Sequence, residues 1–260
     1  MSSPRLYTDL AWVWNYLSPP SHYGEEVATF HRRFVREGVP AGGTVLHLGS
    51  GGGSIDSHLK ANYTVTGVDL SAAMIEVARG HNPEVEYLQG DIRDVRLERT
   101  FDAVLLHDAT TYLLTPEEML AAFRTGAAHL KPGGVMIYLP EELRGRLRQH
   151  ETRARTIGDD DLSVTTIEVD FDPDPTDGWF EITFVFLIRR KGELEVVHDT
   201  HRMGVWELDN LLALMHEAGF DTLVEPWELS DLEPDEEYPL VTATRKGTAN
   251  QAPGNGKREP

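Results

Sequence analysis

"VLHLGSGGGSIDSHLK", residues 45–60, decides the fold. An apolar run ends at Gly49, passes through Gly51, Gly52 and Gly53, and enters a segment with helical spacing, which is the form of a nucleotide-binding turn. Glycine at such positions lets the backbone approach a ligand closely and adopt angles closed to other residues. Position 47 is His, where turns of this kind usually carry an acid.

On either side of this turn, between about residues 44 and 140, short β-branched runs alternate with amphipathic segments: TVLHL, IDSHLKAN, TVTGVD, SAAMIEVARG, VEYLQ, FDAVLLHD, EEMLAAFRTGAAHL and VMIYLP. Strand and helix in alternation predict an α/β fold, a doubly wound and mostly parallel seven-stranded sheet with helices on both faces. After Pro140 the pattern changes. SVTTIEVDFD, WFEITFVFLIRR and ELEVVHDTHRMGV follow one another without helices, so an antiparallel β cap is inserted after the fifth strand. The helix WELDNLLALMHEAGF stops at Gly219, and strands at DTLVEPWE and YPLVTATRK complete the sheet. The expected division is an aromatic, helical lid at 1–43, the cofactor-binding core at 44–140, the cap at 141–205, completion of the core at 206–246 and a disordered tail at 247–260.

With 260 residues, 40% of them apolar, the chain can bury one substantial core. It has no cysteine, which removes disulfides, thiolate metal sites and thiol nucleophiles. A formal charge of -19 repels phosphodiester backbones, so nucleic acid is not the expected partner. MSSPRLYTDLAWVWNYL lacks the pattern of a secretory leader, and no segment reaches the roughly 20 apolar residues needed to span a bilayer. A soluble, cytoplasmic protein without a membrane partner is expected. The eleven histidines are scattered without ligand spacing, so no metal site is expected. The acidic runs at 158–161, 170–177 and 231–237 read as solvated loops, and the prolines of the second argue against a calcium loop.

Asp69 ends the strand VTGVD, 16 residues beyond Gly53, where a carboxylate accepts both hydroxyls of a ribose. Its competing role is the cap of the helix SAAMIEVA, which Ser71 can equally fill. The third strand leads into GDIRDV and puts Asp91 and Ile92 on the same rim, the acid able to accept from an adenine amino group and the isoleucine to lie on the ring. An ordinary acidic turn is the alternative.

VLHLGSGGG, VTGVDLSAAMIEVAR, VEYLQGDIRDV, FDAVLLHDATTYL and LKPGGVMIY stand in one order over residues 44–139. In these five motifs the chain resembles the class I, Rossmann-like S-adenosylmethionine-dependent methyltransferases. The layout of lid and insert is similar to bacterial small-molecule enzymes, including those that methylate amino groups of sugars. The resemblance implies S-adenosyl-L-methionine as cofactor and methyl transfer to an amine or hydroxyl of a small-molecule acceptor. It also implies that Gly49, Gly51 and Gly53 wrap the methionine end, that Asp69 takes the ribose, and that Asp91 with Ile92 holds the adenine. His47, Ser50 and Leu70 fall in the same cofactor-contacting set, and His107 and Asp108 face the transferring methyl group.

His47 departs from the family pattern. Imidazole accepts one hydrogen bond and only when neutral, and a protonated ring repels the cofactor's ammonium. Weaker or pH-dependent cofactor binding is expected, improved by an aspartate at 47, unless His47 bonds a backbone group and water serves the ammonium. A domain that keeps the fold without methylating, as a binding module or a cyclase, is the rival reading.

Among bases on the rim, His107 has the best position, with Asp108, Glu141 and Glu142 beside it and His201 able to descend from the cap. A wall, a turn cap or the start of a solvated helix are their structural alternatives. Tyr7, Trp12, Trp14, Tyr16 and Tyr23 crowd the opening segment; Tyr16 and Tyr23 flank SPPSH and are expected to orient the acceptor. Catechol-type metal chemistry would need clustered carboxylates, which Asp108 alone does not supply. WFEITFVFLI is a candidate strand for a homodimer seam, or a strand packed between cap and core.

Overall fold

The computed structural model describes residues 4–227, 229–230 and 238–246. The acidic run at 231–237 and the tail at 247–260 lie outside them.

Three 3-10 turns and one helical turn, α1 (Trp14–Leu17), lead into α2 (Gly24–Arg36). Then come β1 (Thr44–Leu48), α3 (Asp56–Leu59), β2 (Thr64–Asp69), α4 (Ala72–His81), β3 (Glu86–Gln89), β4 (Phe101–Leu106), α5 (Pro116–His129) and β5 (Leu130–Tyr138). β6 (Thr152–Gly158), β7 (Leu162–Phe171), β8 (Trp179–Arg190) and β9 (Glu193–Gly204) follow, and α6 (Leu208–Glu217), β10 (Phe220–Trp227) and β11 (Tyr238–Arg245) close the chain.

The main sheet runs β10-β11-β5-β4-β1-β2-β3, parallel from β5 to β3, with β11 antiparallel to both neighbours. The buried strands are near-continuous apolar runs because both faces are covered. One face packs Val45, Ala103 and Leu105 against Val27, Phe30 and Phe34 of α2 and Ile75 and Ala78 of α4. The other packs Leu46, Val104 and Leu106 against Met119 and Phe123 of α5 and Leu211 and Met215 of α6. Ser71 caps α4, its hydroxyl accepting from Met74 N, and Thr115 caps α5 with Pro116 as the first helical residue. Gly219, at φ +97°, stops α6. The strand order reverses between β1 and β4, so their carboxyl ends open the crevice where ligands of such sheets bind.

The antiparallel sheet has four strands, β6-β7-β8-β9, one more than the sequence pattern shows. TRARTIG is exposed along almost its whole length and lacks apolar alternation; its register with β7, closed by a turn through GDDD, makes it a strand. The second acidic run is only partly solvated, since Asp170 is buried and takes both guanidinium nitrogens of Arg153 at 3.0 Å.

WFEITFVFLI is an inner strand of the cap and offers no free edge to a second copy. β8 is hydrogen-bonded on both edges, to β7 and β9, so no edge remains for a partner strand. Phe180, Ile182, Phe184, Phe186 and Ile188 point to one face and form a third core with Leu6, Leu10, Val13 and Leu17 of the opening segment. Lid and cap are therefore one packed unit. No helix among the described residues is long and apolar enough to cross a membrane.

Phe186 is fully buried in this third core, so Phe186→Ala should cost about 3–5 kcal/mol in denaturant unfolding. Limited proteolysis should show faster cleavage within the first twenty or so residues. A variant of unchanged stability with a protected lid would contradict the joint core.

Candidate active site

Two backbone amides fix the glycine turn: Gly49 N and Ser50 N both donate to Val68 O, at 2.7 and 2.9 Å. Gly49 has φ +78°, and a Cβ there would lie 2.1 Å from the Cβ of Ala109, so no other residue fits. Asp69 accepts from Gly51 N and Ser71 N, each at 2.8 Å, one on each oxygen. Burial raises its carboxyl above the usual range, and these two N–H groups oppose the rise. Each oxygen keeps a further lone pair for a ligand hydroxyl. Because Ser71 is the helix cap, Asp69 is not needed for that role.

The turn and Asp69 border a cavity of about 950 Å³, walled also by Tyr7, Trp14, Leu70, Ile92 and His107. Leu70, 64% exposed, stands at its lip. Asp91 lines it as well, but Arg93 forks onto both its oxygens (Nε to Oδ1 3.0 Å, Nη2 to Oδ2 2.6 Å) and holds its carboxyl below the usual range. Any hydrogen bond that Asp91 accepts from a ring amino group therefore shares an oxygen with the guanidinium. The Ser50 hydroxyl is buried with no partner among the described residues, and Ser50 lines the same cavity.

A second cavity of about 860 Å³ lies toward the cap. The two share Tyr23, His107, Asp108, Glu141 and Glu142 as walls, and this junction is where a group can pass from one occupant to another. His107 ends β4 and is buried. Its Nε2 is 3.0 Å from Glu26 Oε1 and 3.3 Å from Glu141 Oε1, and its Nδ1 is 3.6 Å from Asp108 Oδ2. Burial alone would lower the imidazole pKa; Asp108 and Glu26 outweigh it and push it up to about 9. A pKa raised in this way favours the imidazolium near neutral pH, and an imidazolium has no lone pair with which to act as the base expected from the position of His107.

Asp108 is placed by strain. Ala109 N donates to His107 O at 2.5 Å across a γ-turn whose central residue, Asp108, has φ 55° and ψ -49°. Burial would raise the Asp108 carboxyl, but His107 and a hydrogen bond from Glu141 keep it below the usual range. Burial and Asp108 push the Glu141 carboxyl well up, which favours Glu141 as the donor of that pair. Glu142 is pushed up to about 7, first by burial and then by Asp170 and Asp108.

His107, Asp108 and Glu141 present ligand atoms within 4.8 Å of one another, the spacing of a cation site. Asp108 is therefore not alone on this rim, since Glu141 joins it in the cluster. The positive charge supplied there by the protein itself is the His107 ring.

Tyr23 stands where both cavities meet, with its hydroxyl bonded to Ser18 Oγ. Tyr16 does not reach either; it lies edge-on to Trp12 at 6.2 Å because the helical turn points it away from the rim. His201 is fully buried behind Tyr112, between the Tyr112 hydroxyl (2.7 Å) and Asp199 (2.9 Å), and lines neither cavity. It braces the lid through Tyr112 and Tyr7, whose hydroxyls meet at 2.8 Å.

His47 is buried against a carboxylate, not a backbone group: its Nδ1 is 2.7 Å from Asp56 Oδ1. Asp56 and Glu26 are the site residues that the motifs do not reveal. Glu26 carries one signal, a charge one residue before Val27 and four before Phe30 on the apolar face of α2. Asp56 reads as an ordinary acid in a first helical turn.

An open α/β sheet thus carries a glycine turn at its switch point, and two cavities meet there at ionisable groups. The family model for a methyltransferase domain matches residues 45–134, and the sheet order is that of the class I, Rossmann-like fold. A dTDP-3-amino-3,4,6-trideoxy-alpha-D-glucopyranose N,N-dimethyltransferase of Streptomyces venezuelae is 35% identical over 127 residues, 48% of this chain and 53% of the relative. The chain thus spans about half the length of the curated relatives it matches. The crystal structure of Streptomyces venezuelae DesVI superposes with a TM-score of 0.76 at 25% identity, covering 91% of this chain and 96% of the other. The fold is also that of SAM-bound CalS10, an amino pentose methyltransferase from Micromonospora echinaspora, with a TM-score of 0.74 at 23% identity over 86% and 92% of the two chains.

Followed by NMR, the His107 ring should titrate near pH 9. Its folded pKa is raised, so its contribution to stability is complete below about pH 6.5 and is lost as pH rises through about 9. A midpoint near 6.5 would contradict the carboxylate ring. Asp108→Gly and Asp108→Ala remove the same carboxylate, but only glycine accepts φ 55° without strain. The glycine variant should therefore be more stable by about 1 kcal/mol in denaturant unfolding.

Proposed function

We propose that this protein transfers the methyl group of S-adenosyl-L-methionine to an amine of a small metabolite. The observation that carries the reading is the shared wall of the two cavities, where His107, Asp108, Glu141 and Glu142 stand between a glycine-turn cavity and a cap-side cavity. The glycine turn, Asp69, Leu70 and Ile92 are the residues that would hold the cofactor. When bound there it supplies a methyl carbon made electrophilic by the attached sulfonium.

Carboxylates at the junction attract an ammonium, which must lose its proton before its lone pair can attack. Glu142 is suited to take that proton, because its raised pKa lies near neutrality while burial and Asp108 favour the protonated form of Glu141. A hydroxyl acceptor would need a stronger base, so an amine is favoured. The in-line geometry of methyl transfer asks the walls mainly for alignment and exclusion of water.

Away from the junction the wall of the cap-side cavity carries Arg146, Arg148 and Arg153 together with Glu151 and Asp170. Arg153 is engaged by Asp170, and Arg146 stacks on Tyr238 at 3.3 Å. Arginines at this distance from the junction suit an acceptor with an amine at one end and an anionic group at the other, as in the dTDP-linked amino sugar named for the Streptomyces venezuelae relative. The overall charge of -19 argues against nucleic acid. Nothing in the site favours a non-methylating module, since a carboxylate stands behind His47.

Incubation with S-adenosyl-L-methionine and a dTDP-amino sugar should add methyl groups to nitrogen, read by mass spectrometry. The kcat/KM should rise with pH through about 7 as Glu142 ionises, and Glu142→Gln should remove that limb and slow turnover about 10²-fold. Absence of transfer to any amine, or an unchanged pH profile in the variant, would overturn the proposal.

A further inference from the structure

At the end of β1 the His47 ring lines the glycine-turn cavity, and its Nδ1–H donates to Asp56 Oδ1 at 2.7 Å. The other Asp56 oxygen accepts from the Tyr87 hydroxyl at 2.9 Å, and Tyr87 in turn accepts from Asn82 Nδ2 at 3.0 Å. Asn82 also donates to Gly53 O at 2.8 Å, which ties the chain of bonds to the glycine turn. His47, Asp56, Tyr87 and Asn82 are all buried. A carboxylate only accepts, so the bond to Asp56 places the ring's proton on Nδ1 and leaves Nε2, which has no partner among the described residues, as a lone-pair acceptor toward the cavity. Asp69 and Asp108 are the other acids whose charge acts on this ring.

Resting on the methyl-transfer reading, we infer that His47 and Asp56 together form the subsite for the cofactor's α-ammonium. His47 Nε2 accepts the hydrogen bond, and Asp56, as a positioning residue, supplies the negative charge that position 47 lacks and fixes the tautomer. The acid is displaced from the strand to the first turn of α3, one imidazole further back. A consequence runs against the expectation from sequence: His47→Asp alone sets two carboxylates against each other in a buried site and weakens binding. Combined with Asp56→Asn, it returns a single acid whose neighbours remain satisfied, because the new amide accepts from Tyr87 and donates to the carboxylate introduced at position 47.

Calorimetry with two ligands separates this role from a merely structural one. S-adenosylhomocysteine carries the ammonium; 5′-methylthioadenosine has the same nucleoside and thioether but lacks the amino-acid end. Asp56→Asn and His47→Asp should each weaken S-adenosylhomocysteine by about tenfold or more, leave 5′-methylthioadenosine unchanged, and recover most of the lost affinity when combined. Equal loss of both ligands, no loss of S-adenosylhomocysteine, or no recovery in the double variant would overturn the assignment. Should the wild type bind neither ligand, the methyl-transfer reading itself falls and takes the subsite with it.

Discussion

A buried imidazole between carboxylates is the interaction on which the site depends. His107 comes from the end of β4, Glu26 from α2, Asp108 from the γ-turn and Glu141 from the segment after β5. Without a positive charge among them, Glu26 and Asp108 would repel each other in a partly buried space beside Glu141, and one of them would protonate or swing away. With it, α2 is held against the carboxyl ends of the strands, and the two cavities keep a common wall. The expense of burying a histidine as a cation is met by several partners, which is the condition under which buried charge is tolerated.

Around that junction, strain and packing complete the geometry. The γ-turn at Asp108 holds a non-glycine residue at positive φ and turns its carboxylate toward both cavities. Opposite it, the opening segment is fastened to the core at several points: Ser54 Oγ donates to Ser18 O, Ser71 Oγ to Tyr7 O, and His58 Nε2 bonds Pro20 O. Its apolar side chains are committed to the cap. Trp14 lies so close to Gly52 that a Cβ there would come within 2.4 Å of the indole. Lid, cap and glycine turn thus depend on one another, and the shape of the cofactor cavity follows from packing between segments far apart in the chain.

Those features were legible in sequence to the degree that they are local. Alternation of apolar runs and helical faces gives the parallel sheet, because its strands are covered on both sides and read as continuous apolar stretches. The glycine turn and Asp69 are legible because their positions follow from strand ends. β6 was hidden by its exposure, which removes periodicity. Tyr16 and His201 had suitable chemistry and nearby positions, but side-chain direction is set by the turn of a helix and the pleat of a strand, and both point away from the cavities. Glu26 and Asp56 could not be singled out, since a buried acid is recognisable only by the partner that compensates it, and neither His107 nor His47 is marked in sequence as that partner.

The most direct measurement is calorimetric titration of S-adenosyl-L-methionine into the wild type and Asp69→Ala. Both the cofactor reading and the placement of the cavity under the glycine turn require the wild type to bind at one site, with Kd on the order of micromolar. They also require removal of the Asp69 carboxylate to weaken binding by about tenfold or more, as loss of hydrogen bonds to a charged group does. No binding by the wild type, or equal affinity in the two proteins, would contradict the account.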